Sequence, residues 1–174
     1  TARCALFPGA TGGPRPTRRE VPGSGRALHQ RCRLRRAATG DGIGGQGERA
    51  PSARAAIAQI LSLLPHQEVV LPAYTCPVVK TAAEVSRKRI IFVDCADKSL
   101  NSTSAQFEAE TIPGRVLVPT HIFGIPTDVE DICALAKSRG CVTIEDAAAA
   151  FPSRLNGRVL GTIADFGVLS FERS

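Results

Sequence analysis

Asp146 follows the apolar run Cys141-Val-Thr-Ile144 and Glu145, and it precedes four alanines, Ala147 to Ala150. If that run is a strand, the carboxylate sits at a strand mouth beside small side chains that leave room for a flat ligand. A carboxylate buried there needs a cationic or protonated partner, and a protonated ring nitrogen would serve. An Asp that only caps a following helix fits the same spacing. His121 could stack on or hydrogen-bond to a ligand, or be an ordinary loop residue. Ser170 could donate to a phosphate. Ser52, placed where a helix opens, could bring free backbone N–H groups to the same anion, although serine caps helices in any protein. The chemistry these residues suggest is the binding of an anionic ligand. No Ser/His/acid order, metal-ligand cluster or carboxylate pair stands out beside them.

The elements that must hold these residues follow from periodicity. Ile57, Ile60, Leu61 and Leu64 fall at i, i+3, i+4 and i+7, so the spacing predicts a helix capped by Ser52 and ending near Pro65. A strand over residues 68–71 leads to a helix from Thr75 with Pro77 in its first turn, where a missing N–H costs nothing. Further strands are predicted over 89–93, 115–118, 141–144 and 166–171. Helices are predicted over 104–110 and 129–139, the latter closed by Gly140. Short β-branched strands alternating with helices indicate an α/β fold, a three-layer arrangement with a mostly parallel sheet. Ligands of such sheets bind beyond the carboxyl ends of the strands. That rule selects Tyr74, Thr75, Cys76, Asp94, His121, Glu145, Asp146 and Ser170.

A length of 174 residues suits one domain, and its charge is unevenly spread. Residues 1–50 hold ten Arg against three acidic residues, whereas the remainder holds twelve basic and thirteen acidic residues. The same first fifty hold ten of the sixteen glycines and keep no apolar period. They are read as a disordered basic arm, with the folded domain over 51–174, because so few aliphatic residues cannot offset the entropy of ordering. The run Arg31 to Arg36 could contact phosphates or imitate a transit peptide. Only Phe7 among these fifty could stack on a base, which argues against nucleic acid as a partner. The glycines at 9–13 lack the Gly-Lys-Ser/Thr ending of a phosphate loop, and those at 40–45 follow no strand. No window approaches the roughly 18 consecutive apolar residues of a membrane span, and no secretory signal opens the chain. Six cysteines without a CxxC pair fit reduced thiols in the cytoplasm. The chain contains no Met and begins with Thr, so it is read as a fragment.

From Ser52 onward the chain resembles the DegT/DnrJ/StrS family of pyridoxal-phosphate-dependent sugar aminotransferases. The likeness rests on Ser52-Ala-Arg-Ala-Ala-Ile57, Val70-Leu-Pro-Ala-Tyr-Thr-Cys-Pro77, Phe92-Val-Asp94, Pro119-Thr-His-Ile-Phe-Gly-Ile-Pro126, Ile144-Glu-Asp-Ala-Ala148, Gly157-Arg-Val-Leu-Gly-Thr162 and Asp165-Phe-Gly-Val-Leu-Ser-Phe171. It implies part of the large domain of a type I, aspartate-aminotransferase-like fold. By this resemblance Asp146 would pair with the pyridinium nitrogen of pyridoxal 5'-phosphate and keep it protonated. Ala53 and Arg54 would bind the cofactor phosphate through backbone amides, Ser170 would add a hydroxyl, and His121 would lie near the cofactor face.

Three positions depart from the family pattern. Cys76 stands where many members place a stacking aromatic ring. Ala149 stands where a Gln usually bonds near the cofactor's phenolic oxygen. The Schiff-base lysine, in the pattern Ser-Phe-x-x-x-Lys, would fall one residue beyond Ser174, and none of Lys80, Lys88, Lys98 or Lys137 matches it. The resemblance therefore implies an inactive piece of an enzyme. Its parent would move an amino group from a donor such as glutamate to a keto-sugar nucleotide, and would act as a homodimer. Two alternatives remain: a cofactor-binding dehydratase or regulatory relative without transamination, and a nucleotide- or nucleic-acid-binding α/β module using the basic arm.

Overall fold

The computed structural model describes residues 4–8, by their backbone alone, and residues 48–171. The arginine run, both glycine clusters and the position after Ser174 lie outside these residues. Two short strands come first, β1 (Cys4–Pro8) and β2 (Glu48–Ala50). Helix α1 (Ala53–Leu63) follows, with the Ser52 Oγ accepting from the Ala55 N–H at 3.2 Å. Then come β3 (Glu68–Pro72), α2 (Pro77–Val85) and β4 (Arg89–Val93). The short α3 (Ser104–Glu108) opens on a capping box between Thr103 and Gln106. After β5 (Arg115–Leu117) a single 3₁₀ turn at Ile122–Gly124 leads to α4 (Val129–Ser138). Gly140, at φ +69°, supplies the left-handed step that returns the chain to the sheet. The last elements are β6 (Val142–Ala147), the small hairpin of β7 (Arg154–Leu155) and β8 (Arg158–Val159), and β9 (Phe166–Ser170).

Seven strands form one sheet in the order β2-β1-β9-β6-β5-β3-β4. The five from β9 to β4 run parallel, and β1 is antiparallel to both its neighbours. Side chains alternate across each strand. Val69 and Leu71 of β3 pack with Ile57, Ile60 and Leu61 of α1 and Val79 and Ala82 of α2. Val70 faces the other way, with Phe107 of α3 and Ile132 and Ala136 of α4. Two helices on each face of a mostly parallel sheet make the expected three-layer α/β fold.

Two expectations change. Residues 1–50 were read as lacking structure, yet β1 and β2 belong to the sheet. Their reason for being strands is not local, because β1 takes its register from β9, with Cys4 opposite Ser170 and Pro8 opposite Phe166. Strand β6 also runs past Ile144 to Ala147, so Glu145 and Asp146 lie inside it and not beyond its end. The segment after it is a turn and contains no helix, so Asp146 does not cap one.

Candidate functional site

Sheet register brings three of the candidate groups to one edge. Cys4 of β1 stands between Ser170 of β9 and Ala50 of β2, which sets Ala50 and Ser170 about 10 Å apart at ordinary strand spacing. Three residues beyond Ala50 the chain enters α1. Its first turn carries no acidic side chain, and the Ala55 and Ala56 N–H groups are bonded to Ser52. That leaves the N–H groups of Ala53 and Arg54 as the uncommitted donors of the helix terminus, which also carries the positive end of the helix dipole. The Arg54 side chain is exposed.

Asp146 lies opposite Val168, two residues before Ser170. Ile144 and Val168 pack toward α1, so by alternation Asp146 and Ser170 turn to that same face, at the carboxyl ends of their strands. Asp146 is 5% exposed. One oxygen accepts from the Ala148 N–H at 3.1 Å. Burial pushes its carboxyl above the usual range, and the Ala148 N–H opposes that shift. A charged His121 would oppose it as well, but the ring is not bonded as a cation. Its Nδ1 accepts from the Thr127 N–H at 3.1 Å and its Nε2 lies 3.0 Å from the Glu145 Oε1. Only the neutral Nε2–H tautomer satisfies both contacts.

His121 is therefore not available to a ligand. Its side chain is fully buried and both ring nitrogens are occupied, on the side of β6 opposite Asp146, because the adjacent Glu145 points away from it. The expectation that His121 lies near a ligand face is corrected by these bonds. Cys76 is an exposed free thiol at the N-cap of α2 and makes no side-chain capping bond. Beside it, the Thr75 hydroxyl is buried without a hydrogen-bond partner. Ala149 is exposed in the turn after β6. Asp94 is exposed and accepts from the Cys95 N–H. The structure thus gathers Ala53, Arg54, Asp146 and Ser170 at one edge and sets His121 behind the sheet.

What the sequence reading passed over is the rear of β6. Both Glu145 oxygens are engaged, Oε1 by the Gly161 N–H at 2.6 Å and Oε2 by the N–H groups of Ile163 at 2.8 Å and Ala164 at 3.2 Å. Two residues earlier, Thr143 donates its N–H and hydroxyl to the Asp165 carboxylate, both at 2.9 Å. The Asp165 N–H returns a bond to the Thr143 hydroxyl at 3.1 Å. The available signal was a Thr-x-Glu alternation in an otherwise apolar strand, which asks where the buried polar groups find partners.

The carboxyl ends of the sheet in this α/β domain thus carry a helix N-terminus, a serine and a buried carboxyl. The model of the DegT/DnrJ/EryC1/StrS aminotransferase family matches residues 51–174, and the chain belongs to that family. It is 34% identical over 112 residues to a UDP-N-acetyl-3-dehydro-alpha-D-glucosamine 3-aminotransferase of Acidithiobacillus ferrooxidans, covering 64% of this chain and 30% of that protein. It is 36% identical over 110 residues to a pleiotropic regulatory protein of Geobacillus stearothermophilus, covering 62% of this chain and 29% of that one. Among solved structures, the aminotransferase TlmJ of Streptoalloteichus hindustanus superposes with a TM-score of 0.59 at 28% identity, over 64% of this chain and 32% of its own. The chain thus spans about 30% of the length of the relatives it matches. Among the described residues, no helix is long and apolar enough to cross a membrane.

Proposed function

We propose that residues 51–174, with β1 and β2 completing their sheet, are part of the large domain of a pyridoxal-phosphate-dependent aminotransferase. Its whole protein moves an amino group from an amino-acid donor such as glutamate to a keto-sugar nucleotide in the cytoplasm. The observation that carries this reading is the buried Asp146 carboxyl, on the same sheet face and edge as Ser170 and the α1 terminus. A buried carboxyl that favours its proton, with no Lys or Arg among the described residues recorded beside it, suits a pyridine nitrogen. A helix end with two uncommitted N–H groups and no acidic side chain suits a phosphate. The residues present therefore fit the cofactor.

In this reading the Ala53 and Arg54 amides and Ser170 bind the phosphate and set the ring's position along the edge. Asp146 shares its proton with the ring nitrogen and fixes the ring's rotation. When bound, the cofactor's protonated ring draws electrons from the carbon that gains or loses the amino group. By the family pattern Cys76 and Ala149 would stand beside the ring, giving it less contact than an aromatic and a Gln would. Lys80 pairs with Glu84, and Lys88 donates to the carbonyls of Leu64 and His66. Lys137 closes α4, and Lys98 lies beyond β4, the edge strand farthest from β9 in this parallel run. We assign the reactive amine to none of these four lysines. Exposed Tyr74, Phe92, Leu100, Phe123 and Ile125 support a homodimer that covers them.

Calorimetric titration with pyridoxamine 5'-phosphate tests the reading. Saturable binding that is lost in Asp146→Ala and is much weaker for unphosphorylated pyridoxamine is expected, and equal binding by the variant would overturn it. One relative favours a second reading, cofactor binding without amino transfer. The Geobacillus protein is named a regulator, and Ala149 removes a polar contact. Release of 2-oxoglutarate from glutamate by the whole protein separates the two.

A further inference from the structure

Glu145 is a carboxylate with no exposed side-chain surface, set one residue from Asp146, and it takes no part in the binding described above. Its four contacts are all donors: the His121 ring and the N–H groups of Gly161, Ile163 and Ala164. Two donors per oxygen fill the acceptor capacity of an ionised carboxylate and leave it nothing to offer a ligand. The three backbone donors belong to the loop that feeds β9, the strand that ends in Ser170.

That loop is laid unusually close on β9. Gly161 adopts φ +87°, and a Cβ there would meet the Leu169 Cδ2 at 2.5 Å. A Cβ on Gly167 would collide with the Gly161 carbonyl oxygen. The two glycines permit the approach but supply no attraction, and Glu145 supplies it from β6. The Thr143–Asp165 bonds start the same β6–β9 pairing two residues earlier. The His121 amide donates to the Asp146 carbonyl at 3.1 Å, so the side chain that Glu145 orients belongs to a residue bonded to the backbone of Asp146.

We propose that Glu145 is a positioning residue for the cofactor site: it clamps the 161–164 loop and holds His121 in the Nε2–H tautomer, and so fixes Ser170 and Asp146 relative to each other. The proposal rests on the cofactor reading above. It assigns Glu145 no proton transfer and no ligand contact.

Glu145→Gln is the discriminating change. A Gln amide must put its NH2 either in the place of Oε2, against the Ile163 and Ala164 N–H groups, or in the place of Oε1, against the Gly161 N–H and the His121 ring. The first opposes donor to donor. The second forces the ring to the Nδ1–H tautomer against the Thr127 N–H. The experiment compares the unaltered chain, E145Q, and Phe107→Leu, a core change under α3 on the opposite side of the sheet from α1. Thermal melting reports stability, the ¹⁵N spectrum of the His121 ring reports its tautomer, and calorimetry reports pyridoxamine 5'-phosphate affinity. The expected result is an Nε2–H ring in the unaltered chain, kept in E145Q if the amide NH2 faces Ile163 and Ala164 and lost if it faces His121. Affinity should fall about tenfold in E145Q, as a buried unpaired donor implies, and change less than about twofold in F107L for a similar loss of melting temperature.

E145Q affinity equal to that of the unaltered chain overturns the proposal alone, as does an equal loss in F107L. Failure of the unaltered chain to bind overturns the cofactor reading, and this proposal with it. If E145Q does not fold, the ring of the unaltered chain decides: a protonated or Nδ1–H His121 overturns the clamp, and an Nε2–H ring supports it.

Discussion

The two faces of β6 hold neighbouring buried carboxyls with opposite fates. On the rear face Glu145 meets four donors. On the front face Asp146 accepts one backbone N–H through one oxygen, and burial raises its carboxyl above the usual range. Burial alone does not say whether a carboxylate is structural or functional. What separates the two is the donor count around each. A carboxylate whose acceptor sites are filled has its charge compensated and stabilises the fold, whereas one with a spare oxygen has acceptor capacity left, which the proposed cofactor would use. Cys133 belongs to the rear group. Its thiol lies 3.8 Å from the Thr143 hydroxyl, and burial pushes it up to about 12, so it stays protonated.

The strongest way to break this comparison is Glu145→Leu, which keeps bulk and removes every acceptor. Three buried N–H groups and the half-buried one of Ile163 then lose their partner together. Removing one side of a buried charged network costs about 3–5 kcal/mol, a large part of the stability of a domain this size. Urea unfolding followed by circular dichroism should show E145L mostly unfolded or with its midpoint far below that of the unaltered chain. A loss under about 1 kcal/mol would mean that the rear donors find other acceptors and that the distinction between the faces is false.

The front face was open to sequence reading, and the rear face was not. Asp146 and Ser170 were placed near strand ends because apolar runs mark strands, a local signal, and both lie near the carboxyl ends of β6 and β9. The helices were found for the same reason: Ser52 and Gly140 act on their own turns. Glu145 was noticed but given no role, because its donors lie 16 to 24 residues away along the chain, and no period in the sequence joins them. His121 was assigned to the wrong face for the same cause. Its ring direction is set by Thr127 and Glu145, which spacing does not connect. The strand nature of Cys4–Pro8 depends on β9, near the other end of the chain. Non-local pairing is what the sequence hides, and in this fold it carries the rear face and the antiparallel strand.

A smaller change sharpens the comparison by asking whether the rear contacts act as one unit. Thr143→Val deletes a hydroxyl that both donates to the Asp165 carboxylate and accepts its N–H, for a loss of about 2 kcal/mol. If Thr143 and Glu145 together hold the β6–β9 pairing, a loop already loosened by E145Q gains little from either hydroxyl bond. The double variant should then cost about 1 kcal/mol less than the two single losses combined, within the range of coupled neighbours. Strict additivity in urea unfolding would show two independent staples.

The smallest expected effect has the opposite sign and comes from the front face. Burial raises the folded-state pKa of Asp146 above 3.8, its ordinary value, so the folded chain binds this proton more tightly than the unfolded chain does. The stability linked to that proton is complete below the unfolded pKa and is lost as pH rises through the folded one. At pH 7, well above the unfolded pKa, this carboxyl is therefore a net cost to the fold. Asp146→Asn keeps the shape and the bond from the Ala148 N–H but cannot ionise. It should stabilise the ligand-free chain at pH 7 by roughly 0.5–2 kcal/mol, the usual gain when a functional site is neutralised. Below the ordinary carboxylate pKa the gain should vanish, because the native residue is then protonated too. The same variant should lose the melting-temperature rise that pyridoxamine 5'-phosphate gives the unaltered chain. Thermal melts across pH 3.5 to about 8, with and without the ligand, read both effects. A variant less stable than the native chain at pH 7, with an unchanged pH slope, would place Asp146 among the compensated carboxylates and erase the difference between the two faces.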